Sequence, residues 1–213
     1  MSEPPGAAGA APTLQQLLAR GAIWQGARQT ARAAKQPTGL AWLDQLLEGG
    51  WPQAGLVELL HSGPGQGEVE LILPLLGRHS RQGMPIFMVT PPGQPCAPGW
   101  QQSGVALEQL WFLLPRSAAD SLWALEQLAA HPQPLLAVGW ASEAAFAQLR
   151  RLQLAAEQAQ KLLFLLRDDH QAAQPSPARL RLAVARDEQG RIQPQLLRHR
   201  AGQGGHNPWR RAG

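Results

Sequence analysis

The residues of this sequence that first invite a chemical reading are Ser62-Gly63-Pro64-Gly65-Gln66-Gly67-Glu68-Val69, a glycine-rich stretch between an apolar run and an amphipathic one. A loop of that composition, leaving a strand and opening a helix, is the setting in which backbone amides cradle phosphates. A working loop reads G-x-x-x-x-G-K-[ST]. Here Ser62 stands for the first glycine, Glu68 for the lysine and Val69 for the magnesium-binding hydroxyl, while Gly67 keeps its place and Gly63 and Gly65 lie inside the loop. Unit charges about 4 Å apart at an effective dielectric of ~20 interact by roughly 4 kcal/mol. Replacing the cation by Glu68 therefore turns a strong attraction for phosphate into a repulsion. The same carboxylate in a first helical turn favours the helix by roughly 0.3–1 kcal/mol, so Glu68 is expected to stabilise the helix end that a phosphate would otherwise occupy.

The remaining parts of a phosphoryl-transfer site are missing as well. A magnesium-binding Asp would end the run Leu135-Leu136-Ala137-Val138, yet Gly139 and Trp140 follow; a water-activating Glu would follow Pro85 to Thr90, yet Pro91-Pro92-Gly93 come next. The expectation is a chain with no catalytic residue, no nucleotide cofactor and no metal. His61, His79, His131, His170, His199 and His206 lack metal-ligand spacing. Asp168-Asp169 reads as a solvated loop pair, and no nucleophile elbow is present.

Arginine carries the other signal. Leu180, Leu182 and Val184 alternate with Arg179, Arg181 and Arg186, and the turn Asp187-Glu188-Gln189-Gly190 leads to Ile192, Leu196 and Leu197. This is the pattern of a hairpin with one buried and one wet face, the arginines on the wet one. With Arg198, Arg200, Trp209, Arg210 and Arg211 behind them, they form a candidate surface for single-stranded DNA or for an acidic protein partner. A solvated face whose charges protect a sheet edge accounts for the same pattern.

The elements that must position these residues follow from period and punctuation. Strands are expected at Leu56 to Leu60, Pro85 to Thr90, Leu110 to Leu114, Leu135 to Gly139 and Leu162 to Leu166. Helices are expected at Leu40 to Leu47, Gly67 to Gln82, Ser117 to Ala130 and Ser142 to Gln160. Apolar strands alternating with amphipathic helices specify an α/β fold: a mainly parallel sheet flanked by helices, here with a C-terminal antiparallel hairpin. The 213 residues divide into a disordered start at 1–12, a helical arm at 13–36 carrying Leu14, Leu17, Leu18 and Trp24, one domain at 37–201 and a basic tail at 202–213.

Composition narrows the class further. Charged residues are 16% and hydrophobic ones 44%, which is globular. The single cysteine, Cys96, rules out an internal disulfide framework, and no apolar run approaches the ~20 residues of a membrane span, so a cytoplasmic protein is expected. Lys35 and Lys161 are the only lysines, so the net charge of +4 rests on arginine.

Several segments, in order, resemble the RecA superfamily, and within it most closely the ImuA family of translesion-synthesis-associated proteins. They are Pro37-Thr38-Gly39, Gly49-Gly50-Trp51-Pro52, Gly55-Leu56-Val57-Glu58-Leu59, the loop Gly63 to Gly67, Arg116-Ser117-Ala118-Ala119-Asp120-Ser121-Leu122-Trp123, Arg150-Arg151-Leu152-Gln153-Leu154-Ala155-Ala156-Glu157, Pro175-Ser176-Pro177-Ala178 and Leu197-Arg198-His199-Arg200. The resemblance implies a RecA-like core and a non-catalytic accessory role in SOS-induced translesion DNA synthesis. The partners it implies are ImuB, a Y-family-like protein, and an error-prone C-family DNA polymerase, with RecA as a further candidate. It also places Arg167 to Pro177 where a recombinase has a DNA-contacting loop. The alternative in the same superfamily is SulA, an inhibitor of the tubulin-like division protein.

Overall fold

In the computed structural model, which describes residues 35–93 and 96–199, each of the five apolar runs expected as strands forms one. The chain divides at Arg32/Ala33, and all described residues belong to the second unit. The expected start at 1–12, the arm up to residue 34 and the tail at 202–213 lie outside the described residues, with Arg200, Trp209, Arg210 and Arg211. The arm was expected to run helically to residue 36. Instead Lys35–Gln36 form a short strand, β1, paired antiparallel with β2, Trp51–Pro52.

The main sheet contains β3 (Gly55–His61), β4 (Ile86–Val89), β5 (Leu110–Leu113), β6 (Leu136–Trp140), β7 (Leu162–Asp168), β8 (Leu180–Arg186) and β9 (Ile192–His199), in the order β5-β4-β6-β7-β3-β8-β9. All neighbours are parallel except β8 and β9, which form the expected antiparallel hairpin. The fold class read from the sequence is the one observed. In the hairpin turn the Asp187 carboxylate accepts the amides of Gln189 and Arg191 at 3.0 and 2.9 Å. Desolvation raises its carboxyl pKa, but hydrogen bonds from Arg191 and Gln193 outweigh that and hold it at about 2.

Two cores flank the sheet. On one face Val57, Leu59, Phe164 and Leu182 pack against Leu43 and Leu47 around α1 (Ala41–Leu46) and against Leu75 and Leu76 of α2 (Leu73–Arg81). Trp51 meets Phe164 there edge to face, at 5.2 Å between ring centroids. On the other face Leu56, Ala137, Leu163 and Leu165 pack against Leu122 and Leu125 of α4 (Ala118–Ala130) and Leu149 and Leu152 of α5 (Phe146–Gln158). The sequence reading missed a short helix, α3 (Ala97–Gln102), because Pro98 and Gly99 disguise it; proline is tolerated in a first turn.

Pro74 also corrects a boundary. The helix expected from Gly67 begins only at Leu73, because proline has no N–H to donate and its ring crowds the carbonyl four residues back. The expected helix Ser142 to Gln160 likewise starts later, at Phe146, since the carbonyls of Ser142 and Ala144 turn away to bind Arg167.

The deepest polar feature sits in the middle of the sheet. Glu58 on the interior strand β3 is fully buried, and its two oxygens are taken by Arg167 Nη1 of β7 at 2.7 Å and Arg181 Nε of β8 at 2.6 Å. Both arginines are buried, so Arg181 does not point to a wet face. Its guanidinium donates to the carbonyls of Gln171, Ala172 and Gln174, while Arg167 donates to those of Ser142 and Ala144 and to Gln171 Oε1. Together they fasten the 3-10 turn Asp169–Ala173 onto the sheet.

Removing one member of a buried ion group leaves an uncompensated charge and costs about 3–5 kcal/mol, whereas replacing the whole group by apolar residues is nearly neutral. Glu58→Gln is therefore expected to lower stability by about 3–5 kcal/mol in denaturant unfolding. The triple replacement Glu58→Leu, Arg167→Met, Arg181→Met should recover most of that loss; equal instability of both variants would contradict this account of the three residues.

Candidate functional site

The glycine-rich loop leaves β3 at the carboxyl ends of the parallel strands, where open α/β sheets bind ligands. Four side chains fix its shape. Glu68 is buried and folds back on the loop, so that its Oε1 accepts the Gly65 amide at 3.0 Å. Arg186, at the end of β8, donates from Nε to the Gly65 carbonyl at 3.0 Å and reaches Glu70 and the Gly190 carbonyl with its other nitrogens. Ile192 of β9 closes on Gly67: a Cβ there would come within 2.6 Å of Ile192 Cγ1, and the backbone has φ +99°. Gly67 is thus required both by conformation and by this contact. His61 Nδ1 pairs with the Gly63 carbonyl at 2.7 Å, whereas Ser62 and Val69 supply no polar contact to the loop.

An amide that would face a phosphate is therefore committed to a carboxylate of the same chain. Because α2 starts only at Leu73, the expectation that Glu68 acts on a helix N-terminus is corrected: it acts through the Gly65 hydrogen bond.

The positions of the other expected active groups are also filled. At Gly139 an added Cβ would run into Leu125 of α4, which is fully buried, so no aspartate fits there. Thr90 ends β4 at φ +56°, a conformation that strains a β-branched residue by about 1–3 kcal/mol. It is held by the Leu113 carbonyl on its amide and by Ser121 Oγ at 2.7 Å from its hydroxyl. A hydroxyl pair thus stands next to where the water-activating carboxylate would be. Among the described residues no group of three His, Cys, Asp or Glu could hold a metal ion.

The cations are mostly engaged in structure. Lys35 donates to the carbonyls of Leu47 and Glu48, and Lys161 to those of Leu128 and His131, so both lysines tie down the ends of helices. Burial lowers the pKa of Lys161 by desolvation. Arg179 pairs with Glu157 at 3.2 Å, Arg181 belongs to the buried group on Glu58, and Arg198 donates to the Ser176 carbonyl. Of the expected candidate surface, Arg179, Arg181 and Arg198 thus each make a separate structural contact, while Arg200, Trp209, Arg210 and Arg211 lie outside the described residues. Among the described residues, no hydrogen bond or ion pair engages Arg116 or Arg150. The sequence reading missed Glu58 and Arg167. The signal was there, because a carboxylate inside the apolar run Leu56 to Leu60 demands buried cations.

No protein-family model matches the sequence, and no curated protein matches it. Among solved structures, SulA from Pseudomonas aeruginosa aligns at 18% identity with a TM-score of 0.44, over 52% of this chain and 96% of that one. Among the described residues no helix is long and apolar enough to cross a membrane.

Restoring the missing loop residues should not restore a nucleotide site, because Arg186, Ile192 and Leu125 close it from other elements. The double variant Glu68→Lys, Val69→Thr is expected to show no heat of binding on titration with magnesium and ATP. Micromolar binding by that variant would contradict the closure.

Proposed function

We propose that this protein is a non-catalytic accessory subunit with a RecA-like core, which serves SOS-induced translesion DNA synthesis by docking onto partner proteins. The observation that carries the non-catalytic half is the Glu68 carboxylate on the Gly65 amide, with the helix start set back to Leu73. Nucleotide binding would have to break that bond, displace Arg186 and bring phosphate next to a buried carboxylate. The pathway half rests on the ordered resemblance of the segments from Pro37 to Arg200 to the ImuA family.

Docking onto protein is favoured over tracking along DNA by the state of the arginines. A phosphate backbone is followed by several cations whose counterions are released together. Here Arg179, Arg186 and Arg191 are each paired with a carboxylate of their own, and Arg167 and Arg181 share Glu58 inside the sheet, so no run of unpaired cations forms a track among these residues. Large apolar side chains are exposed instead, notably Trp111 (55%) and Leu114 (73%) at the β5 edge and Trp123 (64%) on α4. Exposed aromatic anchors of this kind mark protein contacts.

Two measurements test the reading. The full chain is expected to hydrolyse no ATP, with or without single-stranded DNA, and to co-purify with ImuB in preference to the tubulin-like division protein. Hydrolysis above background would overturn the non-catalytic half. Capture of the division protein instead of ImuB would transfer the chain to the SulA-like alternative.

A further inference from the structure

The side of the sheet that carries α4 and α5 is not covered evenly. Those helices pack over β3, β4, β6 and β7. Beyond them, between the β8–β9 hairpin and the extended segment at Gln174-Pro175, a groove of about 730 Å³ remains. Arg181 lies in its floor and Arg198 in its wall; Ala172, Ala173, Ala183 and Leu197 supply apolar lining, and Gln174 and Gln195 stand exposed at the rim.

We propose that this groove binds an extended segment of a partner protein that carries carboxylate side chains between apolar ones. This rests on the docking function above and specifies its surface. The first argument is charge. Glu58 faces two guanidiniums, so the ion group under the groove keeps one net positive charge, softened only by carbonyl dipoles. Among the described residues no carboxylate lines the groove. An entering carboxylate supplies the missing counter-charge at a place where low dielectric strengthens the attraction.

The second argument is rigidity. Arg181 is held by Glu58 and three carbonyls, so little side-chain entropy is left to lose when a ligand binds. The third excludes the main competitor. Single-stranded nucleic acid is held by aromatic platforms along a cationic track, and none of the described residues that line the groove is aromatic. The methyl and leucine lining suits aliphatic side chains, and the amides of Gln174 and Gln195 suit a peptide backbone.

The test selects ten-residue peptides from a random display library on the full chain. It then measures the selected peptides, and a labelled twenty-nucleotide poly-dT, by fluorescence anisotropy. The selected sequences are expected to be rich in Asp and Glu interspersed with Leu, Ile or Val. Their affinity should fall at least tenfold in Ala183→Glu, which puts a carboxylate in the groove, and in Gln195→Glu at the exposed rim. A control, Gln158→Glu on α5, should bind as the parent does, with thermal unfolding confirming that every variant is folded. No enrichment, enrichment without acidic bias, or binding indifferent to both groove variants would overturn the proposal. Poly-dT binding lost in those variants would assign the groove to nucleic acid and overturn it too. None of these outcomes touches the non-catalytic reading, which stands or falls on ATP hydrolysis.

Discussion

A carboxylate in the middle of a parallel sheet must be compensated where it lies, and most of this molecule is arranged around that requirement. Glu58 sits on the interior strand β3 with both oxygens bound by arginines of the two neighbouring strands. Such a group contributes little net stability over an apolar replacement, but it tolerates only one arrangement. It holds β7, β3 and β8 in register and orients two guanidiniums whose other donors then gather the carbonyls of 142–144 and 171–174. The segment from Arg167 to Pro177 is therefore fastened at several points.

The same logic of internal compensation explains the glycine-rich loop. Glu68 satisfies an amide that phosphate would otherwise satisfy, and Arg186 satisfies the adjoining carbonyl while pairing with Glu70. Once these groups partner each other, the lysine, the hydroxyl and the helix N-terminus of a working site have no remaining task. The packing of Leu125 against Gly139 and the strained Thr90 fit a protein whose strand ends serve architecture.

The fold was legible because its signals are local. Apolar runs of strand length alternate with helix-period segments, and the switch to period two at Leu180 announces the hairpin. The loop was also legible through its substitutions at Ser62, Glu68 and Val69. What the sequence hid was long-range: the Arg181 position alternates with buried leucines and so reads as solvent-facing, but the turn at 169–173 covers it. No local pattern pairs residue 58 with residues 167 and 181, although an acid inside an apolar strand was a clue that something must. The start of α2 was misplaced for a local reason, Pro74, which the hydrophobic period conceals.

Glu68 within the loop and Arg186 and Ile192 from the hairpin close the loop together, and the Gly65 amide reports on that closure directly. By nuclear magnetic resonance, that amide should be protected from hydrogen exchange and unmoved by millimolar magnesium and ATP, and it should lose its protection in Glu68→Ala. An amide that exchanges freely in the parent chain and becomes protected when ATP is added would contradict the account.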